Sequence, residues 1–309
     1  MRELRERVLA EVGKVVVGQR SAVDALLAGV ALGGHVLLEG VPGTAKTLLA
    51  SAFARAVSLE FARVQFTPDM LPSDLTGTMT LRGSDLVFRP GPVFTNVLLA
   101  DEINRTPPKT QAALLEAMEE AQVSVDGTSR PLPRPFLVVA TQNPVEYEGT
   151  YPLPEAQLDR FLMKIDVGYP SRDDEVAMLR LARDGLNPAA LGDVEPVVDS
   201  DDLASLRSAV NDCRVADEVV AYTAEIVRAT RTLPAVELGA SPRAAVHLLA
   251  AGRAIAVLAG RDFVTPDDIS RAAPAVLRHR IILRPEAELE RYRPDQAVAA
   301  AVSSVPVPR

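Results

Sequence analysis

The sequence predicts an α/β domain built on a parallel, doubly wound sheet with helices on both faces, followed by a small all-α domain. Short apolar runs alternate with segments of helical period through the first half of the 309 residues, and the strand-like runs then stop. Such alternation is typical of parallel sheets, whose ligands bind at the carboxyl ends of the strands. We therefore expect a site at that edge of the sheet.

Apolar runs bounded by polar or turn residues are the predicted strands. They are HVLLEG (35–40), FARVQF (61–66), NVLLADE (96–102), PFLVVATQN (135–143) and FLMKIDV (161–167). Later segments of helical period, at 216–233, 241–260 and 265–282, predict a helical bundle. The predicted domains are therefore 1–169 and 170–302. They meet at a hinge near Gly168–Arg172, and a disordered tail is predicted at 303–309.

Two segments between the strands read as β-hairpins. Residues 78–94 have two short strand patterns around a Gly-Ser-Asp turn, and residues 122–133 have Asp126-Gly127 as a turn signal. Either segment could be a plain surface hairpin. Two hairpins that interrupt one α/β domain are less expected by chance.

Composition narrows the class of protein. The chain is 48% hydrophobic with a net charge of −8; residues 1–170 carry 16 Lys and Arg against 20 Asp and Glu, and residues 171–309 carry 17 against 21. This even acidity weighs against broad binding of a nucleic-acid backbone. The charged N-terminus, the lack of a long apolar run and the single Cys213 lead us to expect a cytoplasmic protein.

The stretch EGVPGTAKTLLA at 39–50 nearly matches the phosphate-loop pattern G-x-x-x-x-G-K-[ST]. Gly40, Lys46 and Thr47 have the required spacing, but Ala45 stands where the pattern has glycine. A predicted strand precedes the loop and a predicted helix follows it, which is the context the pattern requires. The alternative is an ordinary strand–turn–helix with a solvated lysine.

Each loop residue has a chemical role in the nucleotide interpretation. Gly40 and Gly43 let backbone amides and the helix N-terminus face the phosphates. Lys46 reaches the β- and γ-phosphates, and the Thr47 hydroxyl is a ligand for Mg²⁺. We expect Ala45 to have a helical backbone, where its methyl group carries no penalty for positive φ.

Polar residues at the ends of two other predicted strands complete this interpretation. Asp101 is expected to hold Mg²⁺ through its water shell, and Glu102 to polarise the attacking water. Asn143 is a neutral amide suited to orienting that water near the γ-phosphate. The alternatives are an acidic pair that caps the next helix and, for Asn143, a turn residue before proline.

Arg160 lies just before the last predicted strand, in LPEAQLDRF. Its functional interpretation is a finger that projects into a neighbouring subunit's ATP and stabilises charge on the transferred phosphoryl group. The alternative is an ion pair with Asp159 or Glu155 of the same chain.

Arg243 lies in ASPRAAVHLL, where Ser241 suits an N-cap and Pro242 the first helical position. A cation in the first turn opposes the helix dipole. This unfavourable placement leads us to expect a contact between Arg243 and a phosphate.

Together these motifs resemble the AAA+ ATPases, and specifically the MoxR family, over nearly the whole chain. The matching segments are VVVGQ (15–19), GVPGTAKT (40–47), QFTPDMLPSDLTG (65–77), LLADEINR (98–105), ATQNP (140–144), YPLPEAQLDRF (151–161) and SPRA (241–244). Alanine is common in this family at the position of Ala45.

The resemblance implies an ATP-dependent enzyme that uses Mg²⁺ and works as a ring, usually a hexamer, with ATP between subunits. It implies an adenine pocket near Val17, Gly18 and Gln19. It further implies that the two hairpins are inserts typical of the family. The expected nucleotide-binding loop comprises Gly40, Val41, Pro42, Gly43, Thr44, Ala45, Lys46, Thr47 and Leu48.

Two functions remain open at this stage. The first is a remodelling ATPase or chaperone that acts on a protein client, with a separate von Willebrand A domain protein as partner, as the resemblance implies. The second is a DNA-acting or chelatase-like motor, which the hairpin cations Arg82, Arg89, Arg130 and Arg134 would serve. A nucleotide-gated scaffold without turnover is disfavoured, because both carboxylates are present.

Overall fold

The computed structural model describes residues 1–41, 43–143, 150–183 and 191–308. The strands are β1 (Val36–Glu39), β2 (Phe61–Gln65), β3 (Gly77–Arg82), β4 (Asp85–Pro90), β5 (Val97–Asp101), β6 (Gln122–Val125), β7 (Thr128–Pro131), β8 (Leu137–Gln142), β9 (Met163–Asp166), β10 (Val236–Leu238) and β11 (Ile282–Leu283). The helices are α1 (Arg2–Gly13), α2 (Arg20–Leu32), α3 (Lys46–Ala56), α4 (Pro72–Thr76), α5 (Pro108–Glu120), α6 (Glu155–Leu158), α7 (Arg172–Arg183), α8 (Ser200–Asp212), α9 (Asp217–Thr230), α10 (Pro242–Leu258), α11 (Pro266–Leu277), α12 (Pro285–Leu289) and α13 (Pro294–Ser304).

The main sheet has five strands in the order β2-β5-β8-β1-β9. Every neighbouring pair is parallel, and each strand comes from one of the predicted apolar runs. The prediction of a parallel α/β sheet is confirmed. Because β8 lies between β5 and β1, the segments that follow these three strands meet at one edge of the sheet.

Both faces of the sheet are covered, as the apolar strands require. Along β1, Val36 and Leu38 join a core cluster with α1, α2, α3 and the second domain. Leu37 points to the opposite face and joins a second cluster that includes α5. Successive side chains of a strand point to opposite faces, so a fully apolar strand is stable only between two layers.

The two predicted hairpins are present. Strand β3 pairs with β4, and β6 pairs with β7, both antiparallel. Asp126 and Gly127 have φ angles of 49° and 76°, which suits the predicted two-residue turn. The Arg130 guanidinium lies 3.9 Å from the ring centre of Phe88, so the two hairpins touch each other.

The second domain is mainly helical, as predicted, and packs on the first through α2, which contacts α8 and α10. It also contains the short antiparallel pair β10–β11, which was not predicted, because two and three residues are too few for a periodic pattern. The expected tail at 303–309 is wrong at its start. Helix α13 continues to Ser304, and Val305 packs against the core.

None of the helices in the described ranges is long and apolar enough to cross a bilayer. The single cysteine, Cys213, is buried at the end of α8.

Candidate functional site

The phosphate loop joins β1 to α3 in the predicted strand–loop–helix context. A Cβ atom on Gly40 would collide with the carbonyl oxygen of Val167, so only glycine fits there. Gly43 has a φ of 84°, which glycine adopts without strain. The Lys46 ammonium donates to the carbonyl oxygens of Gly40 and Val41, both at 2.8 Å.

Ala45 corrects one expectation. Its φ and ψ are 58° and 23°, a left-handed conformation immediately before α3, and not the helical backbone expected from the sequence. This is the conformation that the glycine of the motif would adopt freely, and for alanine it costs about 1 kcal/mol. The path of the chain from the loop into α3 requires this left-handed conformation, and that requirement outweighs the preference of alanine for negative φ. Pro42 of the same loop lies outside the described residues.

Asp101 ends β5 and lies beside the loop. Its Oδ2 accepts hydrogen bonds from the Thr47 hydroxyl at 3.3 Å and from Nη2 of Arg63 at 2.8 Å. Its Oδ1 accepts a hydrogen bond from the hydroxyl of Thr141 at 2.6 Å. The structure therefore brings together the hydroxyl predicted as a ligand for Mg²⁺ and the carboxylate predicted to hold the ion through its water shell.

Glu102 follows Asp101 in a left-handed conformation, with φ and ψ of 58° and 50°. Its amide donates to the Thr141 hydroxyl at 2.8 Å, and its carboxylate accepts from Nε2 of Gln65 at 2.6 Å. Arg105 lies 3.1 Å from the same carboxylate oxygen. Such a conformation costs a non-glycine residue about 1–3 kcal/mol, and strained residues of this kind cluster at active sites. Here it occurs at the residue that directly follows β5, where Gln65 and Arg105 contact the carboxylate.

Asn143 follows β8 and is only 6% exposed, so this amide is buried where β1, β5 and β8 end. The pKa of Lys46 is lowered from its ordinary value, because burial outweighs the opposing effect of the nearby charges of Asp101 and Glu102. One edge of the sheet thus holds the predicted residues Lys46, Asp101, Glu102 and Asn143. Their side chains comprise one cation, two carboxylates and one neutral amide.

Residues 17–19 also lie at this edge. A Cβ atom on Gly18 would come within 2.7 Å of the Asp174 carboxylate, in the first turn of α7, which follows β9. Gln19 is the N-cap residue of α2. The segment expected to form an adenine pocket is therefore near the carboxyl ends of the strands.

The two predicted arginines lie together, but not at this edge. Arg160 is 3.1 Å from one oxygen of Glu119, and Arg243 is 2.9 Å from the other. Glu119 follows Met118, whose carbonyl oxygen contacts His35 at the start of β1. The pair therefore lies at the amino ends of the strands. The ion pair of Arg160 suggested with Asp159 or Glu155 is replaced here by one with Glu119.

Helix α10 begins as the sequence predicts. Ser241 is its N-cap, with its hydroxyl accepting from the amide of Ala244 at 3.2 Å, and Pro242 is its first residue. Arg243 is therefore held at the start of a helix of the second domain.

Sequence reasoning missed three residues of the site: Arg63, Gln65 and Thr141. A polar residue inside an apolar strand is a weak signal for each, since Arg63 and Gln65 lie in β2 and Thr141 lies in β8. Thr141 is fully buried and links the two carboxylate residues by accepting from one and donating to the other. Its function follows from contacts across strands, which no local pattern reveals.

We expect Thr141→Val to lower ATP turnover by about 10-fold, because it removes the hydroxyl that orients both carboxylate residues. The loss of a buried hydrogen bond costs about 1–3 kcal/mol. Thr141→Ser keeps the hydroxyl and is the matched control. Phosphate release and thermal unfolding should be measured on both. Equal turnover of the two variants would contradict this role.

The sheet order, the loop after β1, the carboxylates after β5 and the attached helical domain together define an ATPase of the AAA+ class. The model of the ATPase family associated with various cellular activities (AAA) matches residues 35–163, and that of the AAA lid domain matches residues 228–301.

Similar proteins narrow the class. Chaperone MoxR1 of Mycobacterium tuberculosis is 44% identical over 98% of this chain and 82% of its own length. Protein MoxR of Methylorubrum extorquens is 35% identical over 99% of this chain and 96% of its own. The structure of a candidate ATPase from Cytophaga hutchinsonii, 44% identical, superposes with a TM-score of 0.91 and covers 100% of this chain and 96% of the other. The chain belongs to the MoxR family of AAA+ ATPases.

Proposed function

We propose that this protein binds and hydrolyses ATP between the subunits of a ring and uses the energy to remodel a protein client in the cytoplasm. The observation that carries the proposal is the cluster of Lys46, Thr47, Asp101, Glu102 and Asn143 at the carboxyl edge of the sheet. It combines a phosphate loop with a carboxylate suited to Mg²⁺ and another suited to activating water.

The loop residues would bind the triphosphate, with Lys46 exchanging its two backbone carbonyl partners for phosphate oxygens. The Thr47 hydroxyl would be a ligand for Mg²⁺, and the Asp101 carboxylate beside it would hold the ion through its water shell, since Mg²⁺ takes oxygen ligands and keeps several waters beside phosphates. When bound, the metal neutralises phosphate charge. Glu102 would accept a proton from the attacking water, and Asn143 would orient that water.

The separation of the two clusters within one chain supports the proposed ring. Strand β1 has four residues, which is about 13 Å, and it lies between the loop at one end and the arginine pair at the other. Arg160 and Arg243 therefore do not reach the phosphate loop of their own chain. If they contact ATP as we propose, the phosphate belongs to a neighbouring subunit, and a closed ring of copies, in our proposal a hexamer, supplies that neighbour at every site.

A protein client suits the hairpins better than DNA does. At the tip of the first hairpin, Leu81 and Leu86 are cross-strand partners and are 72% and 67% exposed. An exposed apolar pair favours contact with a protein. The guanidinium of Arg130 packs on the ring of Phe88, so this hairpin cation already has a partner within the chain and is less available to a DNA phosphate. One relative over nearly the whole chain is named a chaperone, Chaperone MoxR1, which supports remodelling of a protein. The von Willebrand A domain protein that the family resemblance implies is part of our proposal, as a separate partner.

We expect Lys46→Ala to weaken ATP binding by at least about 100-fold, because charge-assisted hydrogen bonds to phosphate contribute about 1.5–3 kcal/mol each. Titration of a fluorescent ATP analogue measures the loss. Lys109→Ala, which removes an exposed lysine at the start of α5, is the control and should bind normally. Unchanged affinity of Lys46→Ala would refute the site.

A second assay separates a working ATPase from a nucleotide-gated scaffold. The wild-type protein should release phosphate from ATP in the presence of Mg²⁺, whereas a scaffold would bind the nucleotide and release none.

A further inference from the structure

A buried ionic contact joins the second domain to the segment that carries Arg160. Arg280 is 7% exposed, and its Nε donates to Oδ1 of Asp159 at 2.6 Å. Its Nη2 donates to the backbone carbonyl oxygens of Asp159 at 3.0 Å and of Phe161 at 2.5 Å. Arg280 therefore holds the backbone on both sides of Arg160.

The carboxylate of Asp159 has a second partner, on the helix that carries Arg243. The Ser241 hydroxyl donates to Asp159, at 3.2 Å from Oδ2, and the same hydroxyl caps α10. Arg243 lies two residues further along that helix. Asp159, the residue before Arg160, is thus hydrogen-bonded to the N-cap of the helix that carries Arg243, so one carboxylate links the two segments that present the paired arginines.

The chemistry of Arg280 suits fixing a geometry. A guanidinium has five donors in a rigid plane, and this one also reaches the carbonyl oxygen of Leu162 and Nδ1 of His247. Burying a charged pair is a weak way to gain stability compared with apolar packing. The buried pair of Asp159 and Arg280 has another role if it fixes the positions of the neighbouring residues.

We propose that Asp159 and Arg280 are positioning residues for Arg160 and Arg243. They hold the two arginines as one rigid block, so that both meet the ATP of the neighbouring subunit in a fixed arrangement. This inference rests on the proposed action of the arginines between subunits. Asp159 and Arg280 would therefore act in the subunit whose arginines contact the neighbour's ATP. Changing them should leave the nucleotide site of their own subunit intact.

The first test separates binding from turnover. We expect Asp159→Asn and Arg280→Lys to keep the affinity for a fluorescent ATP analogue within about 2-fold, and to lower kcat by about 10- to 100-fold with KM unchanged, since small misplacements of positioning groups have effects of this size. Asp268→Asn is the matched control, because Asp268 is a buried carboxylate paired with Arg261 at 2.5 Å inside the second domain. It should lower thermal stability and leave kcat near wild type.

The second test uses mixed rings, after native mass spectrometry has verified subunit exchange. Asp159→Asn mixed with Lys46→Ala should regain activity, because intact loops of the first then meet intact arginines of the second. Asp159→Asn mixed with Arg160→Ala should gain nothing, because both lack competent arginines. Ser241→Gly is a milder variant for use if the others do not fold, since glycine is tolerated at an N-cap. It should show the same pattern with a smaller loss.

The outcomes distinguish two failures. If Arg160→Ala and Lys46→Ala do not rescue each other, the proposed action of the arginines between subunits is wrong. If they do, but Asp159→Asn and Ser241→Gly keep wild-type kcat, or are rescued by Arg160→Ala, the positioning role is wrong. Equal losses of kcat in Asp159→Asn and Asp268→Asn would also overturn it, since they would reflect stability alone.

Discussion

Glu102→Gln is expected to bind ATP normally and to lose turnover by about 10²- to 10⁴-fold, the range for a positioned general base. The amide keeps the size of the side chain and still offers an oxygen to Gln65, which donates to Glu102 at 2.6 Å. The left-handed backbone of residue 102 is held by Thr141 and does not depend on the side chain's charge. What the variant loses is the carboxylate that, in the proposed mechanism, accepts a proton from the attacking water.

Single-turnover phosphate release, beside titration of a fluorescent ATP analogue, measures the two effects separately. Glu116→Gln makes the same change on an exposed face of α5 and should behave as the wild type. Phosphate release near the wild-type rate in Glu102→Gln would move the base to another residue. Loss of ATP binding would instead mean that the carboxylate holds the nucleotide site together.

Local patterns were sufficient for most of the fold and for the first cluster of the site. The apolar runs predicted the sheet because strands buried on both faces have to be apolar along their whole length. The loop residues Gly40, Lys46 and Thr47 are neighbours in sequence, so their spacing alone predicted their arrangement. Asp101 and Asn143 followed from a single rule, that the ends of parallel strands meet at one edge.

Contacts between distant segments were beyond such reasoning. Arg280 and Asp159 are 121 residues apart, and their pairing depends on how the second domain packs on the first. Glu119 lies in the last turn of α5, and nothing in the local sequence signals that it would bind two arginines. The predicted helical conformation of Ala45 was wrong for a related reason. The path of the loop determines the φ angle of this residue, whereas the prediction used only the residue's own preference.

Arg160→Ala is expected to keep ATP affinity and to lower hydrolysis by about 10²- to 10³-fold. An arginine finger contributes about 10³–10⁵ in well-studied GTPases, and a smaller effect is expected here because Arg243 shares the charge. The side chain of Arg160 is about 32% exposed at the amino edge of the sheet, away from the phosphate loop of its own chain, and in the proposed ring it meets the ATP of a neighbouring subunit. Arg214→Ala, which removes an exposed arginine paired with Asp262, is the control and should hydrolyse ATP normally.

Mixing experiments decide whether Arg160 acts between subunits. In rings assembled from Arg160→Ala and Lys46→Ala, some interfaces join an intact loop from one subunit to an intact arginine from its neighbour. Activity should therefore exceed the sum of the two variants alone, and it should vary with their ratio. If Arg160 served only its ion pair with Glu119 inside one chain, no interface would be repaired. Mixed rings that exchange subunits and show only summed activity would rule out the action between subunits.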